Sequence, residues 1–332
     1  MSTTDNASLT LESLALGRWE AHKLQSTLTG LFERDQLKKF KSILKGRSRV
    51  DMARFQSVGG KHAGAWLRCL AKGDFRMKSE EFSTACILRL GCKFPFISPS
   101  LRCDCGKDIN NKPLIGEYGE HLHVCNNGNE RFNKHNKLTR TCEALANYAG
   151  IKTKYEPNGC FVNNNSAMRP DLRLIQPNYK GECRHDLILD ITVTHPATQA
   201  KINNNKTDIN KGRAARLQEQ SKNREYAAMA ENNDLHFSPI VFETYGTVGK
   251  IFADFLEVNA LAGWRKSEKS IPLSIIRDYW KKRFSVVLQV MNARMLLSRV
   301  DRVKQGSHTK DESFHRDNII ESRVRVSDLY LR

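Results

Sequence analysis

Three features are scarce or missing in this sequence of 332 residues. No run of about 18 apolar residues occurs, so we expect no transmembrane helix. The first ten residues, MSTTDNASLT, lack the charged and then apolar pattern of a secretory signal, and we expect no export by that route. Acidic residues are few beside basic ones, since 36 Asp and Glu stand against 54 Lys and Arg. Membrane-spanning and secreted classes are therefore not expected.

The excess of basic residues, a formal net charge of +18, indicates a polyanionic partner. Lys and Arg side chains that neutralise phosphates release counterions, which favours nucleic acid, and DNA first. A membrane surface and an acidic partner protein are the alternatives. Residues 18–49, RWEAHKLQSTLTGLFERDQLKKFKSILKGRSR, interleave Lys and Arg with Leu and Phe. This pattern predicts basic amphipathic helices whose charged side either faces solvent or contacts phosphates.

The hydrophobic pattern predicts an α/β (α+β) protein with a central order of helix, strand, strand, strand, helix, strand. A mostly helical region from Leu14 to Gly91 precedes this part. A long helix follows it from Ile271, with apolar residues at three- and four-residue steps. The expected helices cover 131–150 and 211–232, and the expected strands cover 151–157, 170–175, 187–194 and 237–246.

A Cys/His-rich segment before the central part has the spacing of metal ligands. Cys103 and Cys105 form a Cys-x-Cys pair, and His121 and Cys125 form a His-x3-Cys pair. Three thiolates and one imidazole form a closed tetrahedral set of the kind that holds a structural Zn²⁺. His123 is an alternative ligand, although on a helix it points away from the other two. A cluster of buried free cysteines is the competing interpretation.

An aspartate interrupts an apolar run: Asp190 lies in LILDITVTHP, although aspartate is depleted in strands. Asp171 opens the preceding strand, in RPDLRL. Paired strands would bring these carboxylates together, and with the backbone carbonyl of Ile191 they would suit Mg²⁺ or Mn²⁺, which prefer oxygen ligands. Such an ion activates water and stabilises charge on a phosphoryl oxygen. The spacing alone equally allows Asp171 to cap a turn and Asp190 to form a surface salt bridge.

The order of elements, with RPD on one strand and an acid on the next, resembles the restriction-like PD-(D/E)xK nuclease fold. More narrowly, residues 59–246 resemble the C-terminal part of non-LTR retrotransposon polyproteins that encode such an endonuclease. The matching pieces are AGAWL, EFSTACILRLG, CDCG with GEHLHVC, RFNKHN, RPDLRL, LDITVT, SKNREY and FSPIVFETYG. The resemblance covers more than half of the chain. It implies a metal-dependent nuclease that nicks DNA, with Asp171 and Asp190 as metal ligands and a Cys-Cys-His-Cys knuckle that braces it.

One position departs from the simplest form of the motif. The motif has a lysine two residues after the second acid, where this chain has Thr192, and threonine cannot supply positive charge to the phosphate. In related retrotransposon nucleases the lysine lies on the following helix, in a KxxKY-like stretch. The resemblance therefore assigns this role to Lys222 in SKNREY, where Glu225 replaces the second lysine. If Lys222 is an ordinary surface lysine, the protein binds DNA without cutting it.

Two further residues are secondary candidates for the catalytic site. His135 lies in RFNKHN, but it also shares the apolar face of its helix, where a hydrogen-bonded core histidine is the alternative. Glu156 ends the first strand and is placed either to help hold the metal or to face solvent before Pro157.

These patterns predict six segments. They are a flexible tail (1–13), a helical basic linker region (14–100), a CCHC zinc knuckle (101–128), a restriction-like endonuclease core (129–250), a C-terminal helical extension (251–303) and a polar tail (304–332).

The expected function is that of a metal-dependent DNA endonuclease. The alternative is a non-catalytic, zinc-containing nucleic-acid-binding protein that retains the nuclease fold. DNA is the expected partner, with the RNA of a retroelement as a second candidate, and the nucleus is the expected location. No Asp-Asp pair of the reverse-transcriptase type occurs, so we expect a fragment, a decayed element or a repurposed copy.

Overall fold

The computed structural model describes residues 21–105, 112–161, 169–177 and 185–305. The predicted flexible tail (1–13) lies outside these ranges, as does the predicted polar tail (304–332) from residue 306 onward. Within the ranges the chain is a mixed α+β protein with eight α-helices, a four-stranded mixed sheet and a helical C-terminal part. None of the helices described is long and apolar enough to cross a membrane. The predicted division into six segments stays a prediction.

The helices and strands are numbered along the chain. The helices are α1 (Ala21–Arg47), α2 (Arg49–Val58), α3 (Ser79–Leu90), α4 (Glu130–Tyr148), α5 (Gln199–Asn205), α6 (Arg213–Glu231), α7 (Lys250–Lys266) and α8 (Leu273–Gln305). The strands are β1 (Thr153–Tyr155), β2 (Leu172–Leu174), β3 (Asp186–Thr194) and β4 (Leu235–Glu243). Short 3₁₀ helices cover Ala65–Arg68, Gly73–Phe75 and His121–His123.

The central part of the chain has the predicted order of elements. Helix α4, strands β1, β2 and β3, helix α6 and strand β4 follow one another. Helix α4 ends two residues before Gly150, the predicted stop, whose φ of 83° lies in the left-handed region that glycine favours. The short helix α5 was not predicted, and it buries only one apolar residue, Ile202, which is too little for a periodic signal.

The sheet has the order β1-β2-β3-β4, with two antiparallel contacts and one parallel contact. Strand β4 pairs with the full length of β3, but β2 pairs only with Leu187–Leu189. Among the described residues, β3 beyond Leu189 therefore has a strand on one side only. Pro239 lies in β4, an edge strand, where a missing N–H donor is tolerated. Because β2 begins only at Leu172, which pairs with Leu189, the backbone groups of β3 beyond Leu189 have no ladder partner on that side.

Helices cover both faces of the sheet. Leu189 and Ile191 of β3 pack into a core formed with α4, α7 and α8, whereas Ile188 packs against α6. This alternation is the ordinary two-residue period of a strand. Asp190 shares the parity of Ile188 and therefore faces the side that α6 covers.

The predicted basic amphipathic stretch forms α1 and α2. Phe40 of α1 packs against Phe55 of α2, with ring centroids 5.8 Å apart, and Leu44 is buried. Phe32 and Ile43 stay exposed. The 33-residue helix α8 packs against α3, α4 and α7, and its C-terminal half shares a second core with α2, α3 and the Cys/His segment.

Two stacked histidines join the Cys/His segment to the end of β3. The rings of His123 and His195 lie 4.8 Å apart with an interplanar angle of 15°, and both rings adjoin Tyr245. Both histidines are buried, and their ring nitrogens have no hydrogen-bond partner among the described residues. Burial, followed by the positive charges of Lys201 and Lys134, lowers the pKa of His195 to about 3. The folded protein therefore keeps His195 neutral.

This burial predicts a loss of stability in acid. In the unfolded chain a histidine binds a proton below a pKa of about 6.5, but folded His195 does not until about pH 3. The free energy of unfolding should therefore fall as the pH drops through this window, by about 1.4 kcal/mol per pH unit for this residue. Urea titrations at pH 7.5 and 5 measure the fall. His195→Phe keeps a ring against Tyr245, and in this variant the fall in the free energy of unfolding between pH 7.5 and 5 should be smaller by about 2 kcal/mol. An equal fall in the parent and the variant contradicts the account.

Candidate functional site

Asp171 lies just before β2 and bonds the backbone of β3 on both sides of Asp190. Its N–H donates to the carbonyl of Leu189 at 3.1 Å, and its Oδ2 accepts from the N–H of Ile191 at 2.6 Å. Because β2 does not reach this point, the N–H of Ile191 lacks a ladder partner, and the carboxylate supplies one. Asp171 and Asp190, nineteen positions apart in sequence, are therefore neighbours at the open end of the sheet.

Helix α4 brings His135 to the same carboxylate. The imidazole Nε2 lies 2.9 Å from Oδ2 of Asp171, and Nδ1 lies 3.2 Å from Oδ1 of Asn136. Burial lowers the pKa of His135. The hydrogen bond and negative charge of Asp171, together with Asn136 and Asp190, raise this pKa by more than burial lowers it. The net shift is upward, so the carboxylate of Asp171 favours the protonated form of His135.

Both oxygens of Asp190 are engaged by side chains. Lys222 of α6 donates to Oδ1 at 3.2 Å, and Thr192 of β3 donates to Oδ2 at 2.9 Å. Burial raises the pKa of Asp190. Lys222 and Thr192 lower this pKa and the charge of Asp171 raises it, so that the net shift is upward. Thr192 therefore holds the carboxylate from the position where the simple motif has a lysine. The lysine reaches the same group from a helix instead.

The neighbours of Lys222 on α6 fix its position. Its ammonium lies 5.0 Å from the ring centroid of Tyr226 and 3.9 Å from Oε2 of Glu225. The Tyr226 ring stacks on Phe237 of β4, with centroids 5.3 Å apart. Burial raises the pKa of Tyr226 to about 12, with further contributions from Glu225, Asp190 and Asp171. The side chain of Lys222 is 19% exposed, so it is not an ordinary surface lysine.

Glu156 and Ile191 adjoin the carboxylates through their backbones. The N–H of Glu156 donates to the carbonyl of Asp171 at 2.9 Å, while its carboxylate forms an ion pair with Arg169 at 2.8 Å. The side chain of Glu156 is thus directed to an arginine. Ile191 presents its N–H to Asp171. The predicted roles of the Glu156 carboxylate and the Ile191 carbonyl in holding a metal stay predictions.

The four predicted Cys/His ligands come together. The ligand atoms of Cys103, Cys105, His121 and Cys125 all lie within 4.8 Å of one another. The Cys103 and Cys125 sulfurs are 3.8 Å apart, and the Cys105 sulfur is 3.3 Å from Nε2 of His121. Tetrahedral zinc, with bonds of about 2.3 Å to sulfur and 2.0 Å to nitrogen, separates its ligands by about 3.5–3.8 Å. The cluster is therefore compatible with a structural Zn²⁺, and the stacked ring of His123 lies outside it.

The thiols of this cluster must lose protons to bind a cation, whereas the imidazole is already in the form that binds one. Burial raises the pKa of Cys105 to about 12, and the neighbouring Cys103 and Cys125 raise it too. Burial, followed by Arg299, lowers the pKa of His121 and keeps its imidazole neutral, as a metal ligand must be. Thiols packed this closely resist ionisation because their charges repel, and a divalent cation removes that repulsion.

An arginine that was not predicted lies against the sulfurs. Nη2 of Arg299, on α8, donates to the sulfurs of Cys103 at 3.3 Å and Cys125 at 3.4 Å. The same side chain pairs with Asp104 at 2.9 Å and Glu130 at 3.6 Å, and only 3% of it is exposed.

The sequence carries one signal for this arginine. The apolar stripe of α8 runs through Val287, Met291 and Met295, and the next four-residue step falls on Arg299. A charged residue that continues a buried stripe requires a buried partner. The stripe itself does not identify that partner.

No protein-family model matches this chain, and no curated protein matches it.

The Cys/His cluster predicts one bound zinc ion per chain. Cys105→Ser removes one ligand and should release the metal, because an incomplete tetrahedral set binds weakly, and the free energy of unfolding should fall with it. Elemental analysis of the purified protein gives the stoichiometry. Cys92→Ser, at an exposed cysteine outside the cluster, is the matched control and should keep the zinc. Equal zinc contents in the two variants would refute the ligand assignment.

Proposed function

We propose that this protein is a metal-dependent DNA endonuclease, related to the retrotransposon endonucleases that its motifs resemble. One observation carries the proposal: Asp171, Asp190 and Lys222, from three separate segments of the chain, converge beside β3 where β2 no longer pairs with it. The side chains of both aspartates are 17% exposed, so their charges are partly shielded from water yet accessible from outside. A simple salt bridge joins one acid and one base, whereas this site brings two acids together, each with its own basic partner.

The donor set fits Mg²⁺ or Mn²⁺. Asp171 and Asp190 would hold the ion through carboxylate oxygens, which hard divalent cations prefer, and the carbonyl of Ile191 would complete the protein's share. The bound ion would lower the pKa of a water molecule and polarise the scissile phosphate. Among the described residues, the hydrogen bonds to the Asp171 carboxylate both end on Oδ2, which leaves Oδ1 for a ligand.

Lys222 would supply the positive charge that Thr192 cannot. An ammonium group 3.2 Å from Asp190 is placed to stabilise negative charge on a phosphate that approaches the same carboxylate. Loss of such a group typically costs about 100-fold or more in rate. Thr192 would act as a positioning residue, because its hydroxyl fixes the orientation of Asp190.

His135 would act as a positioning residue for Asp171. Its hydrogen bond and the N–H of Ile191 converge on one oxygen of that carboxylate, so they fix its rotamer before a metal binds. Glu156 would contribute through its backbone bond to Asp171, and we propose no separate chemical step for it.

The remaining features agree with a DNA substrate. The net charge of +18 would attract the phosphate backbone, and the Cys/His cluster with zinc would brace the segment in front of the core. A DNA substrate also implies the nucleus as the place of action. A protein that binds DNA without cutting it is the alternative, and it shares the charge and the zinc but not the hydrolysis.

A plasmid-nicking assay with Mg²⁺ or Mn²⁺ separates these two functions. The parent protein should convert supercoiled to open-circular DNA, and Asp190→Ala should reduce the rate by at least about 100-fold, because one metal ligand is lost. Asp254→Ala, at an exposed aspartate on α7, is the control and should cut at the parental rate. DNA binding should persist in Asp190→Ala. Nicking that survives this substitution contradicts the assignment, and binding without nicking in the parent supports the alternative.

The lysine can be moved from position 222 on α6 to position 192 on β3, where the simple motif has it. Lys222→Ala should lower the nicking rate by about 100-fold, because the positive charge at Asp190 is lost. Adding Thr192→Lys in that background places an ammonium on the same carboxylate and should restore part of the rate, as Thr192 already contacts Asp190. The rates at saturating metal measure this. If Lys222→Ala cuts at the parental rate, Lys222 has no role in the reaction.

A further inference from the structure

We propose that Arg299 belongs to the zinc site, where its guanidinium hydrogen-bonds two of the three thiolates and offsets part of the negative charge of the loaded cluster. The inference rests on zinc in the Cys/His cluster and is independent of nuclease activity. It extends the site beyond the Cys/His segment to helix α8, nearly 200 positions further along the chain.

The contacts of Arg299 are directed at the sulfurs that lie deepest. Cys103 is fully buried and Cys125 is 8% exposed, and the same nitrogen, Nη2, contacts both sulfurs. Nη1 donates to the carbonyl of Asn127, which holds the guanidinium in place. Both terminal nitrogens of Arg299 therefore meet acceptors, whereas its Nε has no hydrogen-bond partner among the described residues.

Charge explains why a guanidinium is required. Three thiolates and one Zn²⁺ carry a formal charge of −1, and burial makes an unbalanced charge costly. Asp104 and Glu130 lie beside the cluster and would add two more negative charges. Together with these acids the loaded site would carry −3, which Arg299 and Arg302 reduce to −1, and the N–H groups of Arg299 also reach the sulfurs. Without Arg299 the loaded site would hold one further unbalanced negative charge and two unsatisfied thiolates.

The same contacts connect the zinc site to the candidate catalytic site. Glu130 is the first residue of α4, and His135 follows it by less than two turns. Arg302 pairs with Glu130 at 2.6 Å, and Arg299 pairs with it at 3.6 Å. The start of the helix that positions Asp171 is therefore held by the two arginines that lie beside the cysteines.

Zinc affinity, measured by competition with a chromogenic chelator, tests the proposal. Arg299→Met keeps an unbranched apolar stem but removes the charge and the donors, and zinc affinity should fall by about 10- to 100-fold. Arg299→Lys keeps the charge with fewer donors, and its zinc affinity should lie between those of the parent protein and Arg299→Met. Arg302→Met is the matched control, since Arg302 pairs with the same two acids, and its affinity should stay within about threefold of the parental value.

Cobalt absorption distinguishes a bond to sulfur from general packing. An N–H donor stabilises the sulfur lone pairs, so its removal should shift the thiolate-to-cobalt charge-transfer band to longer wavelength in Arg299→Met and Arg299→Lys, but not in Arg302→Met. If Arg299→Met does not fold, Arg299→Lys carries the test. The proposal is overturned by parental affinity and parental bands in the Arg299 variants, by an equal loss in Arg302→Met, or by a parent that binds neither metal.

Discussion

The site depends on one unpaired backbone group. Strand β3 continues past Leu189, the last of its residues that pairs with β2, and the N–H of Ile191 faces the side where β2 is absent. A buried N–H needs an acceptor, and the Asp171 carboxylate is the group that provides it. That bond fixes Asp171 beside Asp190, and the same oxygen then receives His135 from α4. A longer β2 would satisfy the backbone without a carboxylate, and the two aspartates would lose the reason for their proximity.

Charge compensation is the second theme, and it appears at both candidate metal sites. Asp171 has His135 beside it, and Asp190 has Lys222, so each carboxylate has a cationic partner in the protein. The thiol cluster has Arg299. A group of like charges is stable only with such partners or with a metal ion. We propose that Asp190 exchanges Lys222 for Mg²⁺ or Mn²⁺ when that ion binds, whereas the cysteine cluster retains zinc permanently.

Features that depend on residues close together in the chain could be predicted from the sequence. Periodicity gave the order of helices and strands, Asp190 was conspicuous within an apolar strand, and the Cys/His spacing gave the set of four ligand atoms that come together. It could not give contacts between distant segments. Lys222 lies 32 positions from Asp190 and was predicted only through the family resemblance, whereas Arg299 lies 196 positions from Cys103 and was not predicted. Neither pairing leaves a local pattern. The three-residue length of β2, which creates the gap at Ile191, is likewise decided by tertiary pairing and not by propensity.

The central claim is that Asp171 and Asp190 form one divalent-metal site. Anomalous diffraction from a crystal soaked in Mn²⁺ tests it most directly, since manganese is located without reference to activity. The account predicts one ordered peak about 2.2 Å from a carboxylate oxygen of each aspartate, with Lys222 moved away from Asp190. No peak between the two aspartates at saturating Mn²⁺, with the ion pairs to His135 and Lys222 intact, would contradict it.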